Sequence, residues 1–370
     1  MKKKLVSILL CVTMVSAMVA GCGSSSDEKK EDTKTEDTEK KDDTKDEAKD
    51  DASGEDTLFT QAMAQVDEDF APLPEKDSGV KLAAIESTLA NSFWVTMQEG
   101  YEDTAKEYGV DIDVQATDSD TDTAGQLDIL ENMLVKDYAA IAVSPLTGDC
   151  LISGIVKANQ DEVPIITTGN EVDADALKEA GGSLTGMITV DFKSQGEMGA
   201  QYIIDNNKSD SKKVAVIAGN EGGTQADARR DGAKEAFEKA GYDVVAVEQC
   251  DFDVQKAYDA ATAIIEANPD LAGIACGNDD MALGVVKALQ EKDMKDQVMV
   301  VGVDFTEEAK AAIEDGTYDA TVAMSPYLMG REAVIMMLKA LEGQEVTSIG
   351  DSTPMALVNA DNVSEMSDWH

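Results

Sequence analysis

The residues of this chain that could do chemistry stand in short polar segments: Ser87-Thr88, Ser144-Pro145, Gly169-Asn170, Gly219-Asn220, Asp251-Phe252, Asn278-Asp279, Asp304-Phe305 and Ser325-Pro326. Each follows an apolar run. Hydroxyls, carboxamides and carboxylates terminate strands and cap helices in most proteins, so no one of these segments points to a site. Their company does. Phe93, Trp94 and Phe252 accompany Asn91, Arg229, Asn278 and Asp304. Flat rings beside paired donors and acceptors suit a ligand with apolar faces and a rim of hydroxyls, the surface of a sugar ring. An ionised carboxylate such as Asp304 suits a polyol because it accepts two strong hydrogen bonds.

The same inventory argues against catalysis. The one histidine, His370, ends the chain, which removes histidine triads and histidine metal sites from the folded body. No nucleophile-base pair stands out, so a non-enzyme without cofactor or metal is expected. Asp118-Ser119-Asp120-Thr121-Asp122 begins like a calcium loop, but Thr123 stands where glycine is needed and Ile129 where glutamate is needed. It reads instead as a strand end and the N-cap of a helix carrying Gln126 and Leu127. Cys150, Cys250 and Cys276 match no zinc spacing and read as buried free thiols, with a Cys250 to Cys276 bridge left open.

Ten apolar runs set out the elements: VKLAAIE from Val80, VDIDVQA from Val110, YAAIAVS from Tyr138, VPIITT from Val163, GMITVD from Gly186, KVAVIAG from Lys213, YDVVAVEQ from Tyr242, LAGIACG from Leu271, VMVVGVD from Val298 and DATVAM from Asp319. Each reads as a buried strand. Helical spacing fills the intervals, as at Phe93, Met97, Tyr101, Ala105 and Tyr108 before Gly109, or Ala233, Ala236, Phe237 and Ala240 before Gly241. Strand and helix alternating every 25 to 30 residues or so predict a doubly wound α/β protein with parallel sheets. About 290 residues exceed one comfortable core, so two such lobes are expected. Ligands of open parallel sheets bind beyond the carboxyl ends of the strands, where the polar segments lie.

The first 56 residues have a different character. Lys2, Lys3 and Lys4 precede an apolar stretch, Leu5 to Ala20, and then Val19-Ala20-Gly21-Cys22 with Gly23-Ser24-Ser25-Ser26 behind it. This pattern predicts a lipoprotein signal peptide over residues 1–21, cleavage before Cys22, and a lipid on that cysteine that tethers the chain outside a membrane. Asp27 to Asp56 holds 15 acidic residues and 7 lysines, a composition that predicts a solvated linker reaching roughly 35 Å if flexible. With 74 acidic against 31 basic residues overall, nucleic acid is excluded as a partner. Leu58 to Phe70 reads as an amphipathic lead-in segment within residues 58–78.

From Val80 to about Val358 the chain resembles the ribose-binding branch of the type I periplasmic binding proteins. The stretches that carry this are STLANSFW (Ser87 to Trp94), GTQADARRDGAKEAF (Gly223 to Phe237), CDFD (Cys250 to Asp253), GNDDMALG (Gly277 to Gly284) and VMVVGVDFT (Val298 to Thr306). The resemblance implies an extracytoplasmic, monomeric receptor that closes around one small sugar and delivers it to a membrane permease with its ATPase. The sugar class left open is pentose, hexose or sugar alcohol. A sensor presenting a sugar or autoinducer-2 to a membrane kinase or chemoreceptor is the alternative. By the same resemblance Ser87 and Asn91 would hydrogen-bond the ligand, Phe93 and Trp94 would stack on it, Arg229 would donate a fork, Phe252 would form the opposite wall, and Asn278 and Asp304 would hold hydroxyl pairs. Asn170 would stand, after Gly169, where the family has an Asp-Arg pair, Met324 where it has glutamine, and Trp94 where it has phenylalanine. Arg230 would point elsewhere. Hinge crossings are expected near Val190-Asp191, Met324-Ser325 and Thr353-Pro354, giving a first lobe of residues 79–190 plus 325–353 and a second of residues 191–324 plus 354–370.

Overall fold

The computed structural model describes residues 57–346, 349–350, 354–366 and 368–369. The signal peptide, Cys22 and the acidic linker (residues 22–57) lie outside the described residues but for Thr57, and so does Thr353 at the third expected crossing.

The ten apolar runs form β1 (Lys81–Thr88), β2 (Asp111–Thr117), β3 (Ala140–Val143), β4 (Ile165–Thr168), β5 (Gly186–Thr189), β6 (Lys213–Ala218), β7 (Asp243–Gln249), β8 (Gly273–Cys276), β9 (Met299–Asp304) and β10 (Ala320–Ala323). Between them lie α2 (Ser92–Glu107), α3 (Thr123–Leu134), α4 (Ile152–Gln160), α5 (Ala174–Glu179), α6 (Phe192–Asn206), α7 (Thr224–Lys239), α8 (Val254–Ala267), α9 (Asp279–Glu291) and α10 (Glu307–Glu314). The chain opens with α1 (Leu58–Asp69) and closes with α11 (Pro326–Leu341) and two short strands, β11 (Ile349–Gly350) and β12 (Ala356–Asn359). The strands build two six-stranded sheets, ordered β11-β5-β4-β3-β1-β2 and β12-β10-β9-β8-β6-β7. Every pairing is parallel except β12, which runs antiparallel to β10.

Two expectations are corrected here. The runs at Val110 and Tyr242 are not buried strands: β2 and β7 stand at sheet edges and are half-buried or exposed along most of their length. Their apolar residues pack on one side only, because a sheet edge has a neighbour on one side only. Nor is Cys150 buried; it is half-buried, while Cys250 and Cys276 are buried, and all three are free thiols.

Sheet membership changes three times along the chain. The passage from β5 to β6 runs through α6, which packs on α7 and β9; after β10 the chain enters α11, which packs on α2 and β4; and β11 and β12 belong to different sheets. Each sheet is covered by apolar side chains, such as Ile85, Leu130 and Ile141 in one lobe and Ile203, Phe237 and Val301 in the other. Burying each contributes about 1.5–3 kcal/mol. In the second lobe α6 and α7 approach so closely that a Cβ on Gly196 would stand 2.0 Å from the Arg229 carbonyl oxygen, so a side chain there would push α7 and its arginine away.

The lead-in segment is the helix α1, capped by Thr57 and packed on α11, where Arg331 holds Asp67 at 2.8 Å. Phe59 meets Tyr327 and Trp369 edge to face, and Trp369 Nε1 donates to the Met324 carbonyl at 3.1 Å. The helix thus braces the second crossing.

Candidate functional site

The carboxyl ends of the two sheets face one cleft with about 410 Å³ of empty space, the solvent at its mouth included. The first lobe lines it with Asn91, Phe93, Trp94, Asp120, Gly169 and Asn170, the second with Gln225, Arg229, Phe252, Asn278 and Asp304, while Phe192, Met324 and Met329 come from the crossings and the helices beside them. Eight residues singled out from the sequence are therefore brought together. Ser87 is not among them: it is buried behind the surface and its hydroxyl donates to the Asp120 carboxylate. Asp120, Gln225, Phe192 and Met329 were missed. Asp120 lies in the acidic run already set aside as a calcium loop, and Gln225 four residues before Arg229, one helical turn away on the same face.

In the first lobe a helix N-terminus does the positioning. Asn91 is the N-cap of α2: its Oδ1 accepts from the Phe93 amide at 2.8 Å, which leaves the side-chain NH2 to the cavity. Phe93 and Trp94 follow in the first turn, edge to face with centroids 5.0 Å apart, and the indole lies against Gly169. Asn170 donates to the Pro145 carbonyl at 3.0 Å, so its own side-chain oxygen remains available. Asp122, two residues past Asp120, caps α3 by accepting from Gly125.

In the second lobe the site is electrostatic. Arg229 is buried; its Nε donates to Gln195 Oε1 at 2.7 Å and Nη1 to the Gly277 carbonyl at 2.9 Å, while Nη2 stands 3.7 Å from Asp304 Oδ1. Burial pushes the Asp304 carboxyl well above the usual carboxylate range; Arg229 pulls it down, and Asp279, Asp280 and Asp120 push it up further. Arg230 instead pairs with Asp227 and Asp231. Asn278 caps α9 with Oδ1, accepting from Met281 at 3.0 Å, and its Nδ2 is buried without a partner among the described residues. Behind it Asp279 accepts from the Thr306 amide, Tyr318 and Thr321, which fixes the loop that carries Asp304.

That loop and the one at β7 hold their residues in left-handed backbone: φ is +57° at Phe252, +117° at Asp304 and +64° at Phe305. Such conformations cost of order 1–3 kcal/mol each and persist where the surroundings impose them, commonly at ligand sites. Phe252 lies so close over Gly219 that a Cβ there would be 2.1 Å from the ring. Only glycine lets this wall stand.

The lobes also touch directly at the rim. Asn220 Nδ2 donates to the Leu146 carbonyl at 2.8 Å, the Gly148 amide to the Gly222 carbonyl at 3.2 Å, and the Glu171 amide to Thr224 Oγ1 at 3.2 Å. With these bonds made across the cleft, the structure is the closed form.

Two doubly wound lobes, three crossings and a ligand-sized cavity between facing carboxyl edges define a two-lobed binding protein of type I. Residues 83–345 match the family model described as periplasmic binding protein domain, and the chain belongs to that family, in its ribose-type branch. It is 35% identical over 284 residues, 76% of this chain and 91% of the relative, to the D-allose-binding periplasmic protein of Escherichia coli. It is 30% identical to the ribose import binding protein of Haemophilus influenzae, over 72% of this chain and 87% of that one. Among solved structures, an ABC transporter periplasmic solute binding protein from Actinobacillus succinogenes with bound D-allose superposes with a TM-score of 0.71 at 27% identity, covering 77% of this chain and 99% of that chain. A carbohydrate transporter solute binding protein from Agrobacterium radiobacter in complex with D-arabinose gives 0.72 at 26% identity, covering 79% and 97%.

Proposed function

We propose that the chain is an extracytoplasmic receptor that closes around a small sugar (a pentose, a hexose or a sugar alcohol) and hands it to an ABC import permease. The observation that carries this is the cavity's uncommitted polar edge. Among the described residues Asn278 Nδ2 is buried with no partner, and the buried Asp304 carboxyl has Arg229 Nη2 at 3.7 Å, beyond hydrogen-bond distance, while Nε and Nη1 donate elsewhere. Burying such groups unpaired costs about 1–3 kcal/mol each, more when charged, unless an occupant supplies the missing bonds. Phe93, Trp94 and Phe252 give that occupant apolar walls. A ring with C–H faces and a hydroxyl rim satisfies both sets at once.

The mechanism is hinge closure. Contacts from both lobes favour the closed form, and the permease reads the closed outline. No step breaks a bond in the ligand. A lipid on Cys22 and the acidic segment after it would hold the receptor, as a monomer, at the outer face of the membrane, within reach of its transporter.

A thermal-shift panel of pentoses, hexoses and polyols on the full chain tests the reading. A ligand at a hundredfold excess over its dissociation constant stabilises by about 2.7 kcal/mol. One member of the panel is expected to do so, and silence across all of it would sink the sugar assignment.

A further inference from the structure

Among the described residues Asp120 is the one charged residue that the first lobe brings to the cavity; its companions there are two carboxamides, two rings and a glycine. It also lines the groove outside, together with Thr88, Phe252 and Asp280, so its carboxyl stands where the cavity opens. Oδ1 accepts from Ser87, and among the described residues nothing donates to Oδ2. Across the cavity Arg229 stands at Asp304, with Nε and Nη1 already bound to Gln195 and Gly277. The cavity therefore holds two carboxyls to one guanidinium, and the guanidinium sits with the other carboxyl. Asn278 Nδ2, buried and unpartnered in the same cavity, independently marks the space as one an occupant must complete. A half-desolvated carboxyl with a single protein donor gains from another, and an occupant of the cavity is placed to bring it.

We propose that Asp120 is a specificity-determining residue, accepting a hydrogen bond from a hydroxyl, or from an amino group in its place, at the mouth-side end of the ligand. The proposal rests on the sugar reading and deepens it. It makes the cleft select against ligands deoxygenated at that end, and against those that carry a carboxylate or phosphate there. Ser87 acts through Asp120 by holding its carboxyl in place.

The test is a calorimetric cycle on the full chain with D-allose and its 2-, 3-, 4- and 6-deoxy derivatives, or the same series on whichever sugar of the panel binds. One derivative is expected to bind the native chain about tenfold or more weakly, the range for a hydrogen bond to a charged group, yet to show no such loss in Asp120→Ala. Asp120→Leu, which keeps the volume but offers neither acceptor nor donor, reports the same coupling should the alanine variant fold poorly. Ser87→Ala retains the carboxylate but removes the hydroxyl that holds it, and is expected to weaken the discrimination without abolishing it. Equal losses for every derivative in native and Asp120 variants overturn the proposal while leaving the sugar site standing. Failure of every panel sugar to bind the native chain takes down the sugar reading itself.

Discussion

The two lobes contribute to the cavity by different means. The first offers Phe93 and Trp94 from a helix start with ordinary backbone, so its wall follows from one N-cap. The second offers Phe252 and Asp304 from left-handed loops, braced by Asp279 behind and by Gly219 beneath. One lobe is a preformed apolar platform; the other stores strain and unsatisfied polar groups that a ligand relieves. Most of the binding free energy should therefore be lost when the second lobe is altered.

Asp304→Asn breaks that comparison most sharply. It keeps a residue tolerant of left-handed backbone but replaces a carboxyl oxygen beside Arg229 with an amide NH2, so a ligand hydroxyl loses an acceptor and a buried group is left unsatisfied, which costs about 1–3 kcal/mol of binding. The sugar-induced thermal shift is expected to shrink accordingly. Trp94→Ala removes an apolar wall from the platform and should weaken binding by less than Asp304→Asn, measured as the ratio of dissociation constants. The reverse order would mean that the first lobe dominates recognition.

Beneath the site each lobe buries an acid, and these differ too. Asp279 in the second lobe accepts three hydrogen bonds, and burial pushes its carboxyl up only to about 7. Glu86 in the first lobe has both oxygens buried without a partner among the described residues, and burial, aided by Glu102, pushes it up to about 9. A carboxyl raised in the folded state holds a proton that the unfolded chain has released, so stability falls as pH rises from about 4.5 to about 9. The slope is about 1.4 kcal/mol per pH unit, or about 3 kcal/mol between pH 4.5 and 7. Glu86→Gln removes that slope. Melting curves of native and variant chains should draw together near pH 4.5 and separate by pH 8; parallel curves would show that Glu86 titrates normally.

Much of this was legible in the sequence, and the reasons are local. Eight of the ten strands showed because a strand between two helical layers must be apolar on both faces, the edge strands β2 and β7 showed by their apolar runs alone, and α2 and α7 showed because Gly109 and Gly241 close them, both with positive φ. The cavity residues showed because strand carboxyl ends face one way in a parallel sheet. What stayed hidden depends on partners distant in sequence. β11 is two residues long and β12 pairs antiparallel with β10, so neither carries a strand-length pattern of its own. Ser87 looked like a ligand donor until Asp120, 33 residues on, claimed its hydroxyl. Asp120 itself was read only as part of a failed metal loop, since nothing in sequence shows that β2 ends beside β1 at the mouth of a cleft.

The rim bonds give the smallest effect and the finest test of how the lobes cooperate. Asn220 and Thr224 do not line the cavity, yet their side chains bond the first lobe's backbone at Leu146 and Glu171 across the shut cleft, and opening it would break these bonds. They favour closure without touching the ligand, and loss of one neutral hydrogen bond costs about 1 kcal/mol, roughly fivefold in the closed population. Asn220→Ala and Thr224→Val should each leave the association rate as it is and speed dissociation by about that factor. Stopped-flow fluorescence can follow this through Trp94, whose indole lies in the cavity wall. An unchanged dissociation rate in both would mean that the ligand alone holds the lobes together, and that the strain and charge of the second lobe suffice for closure.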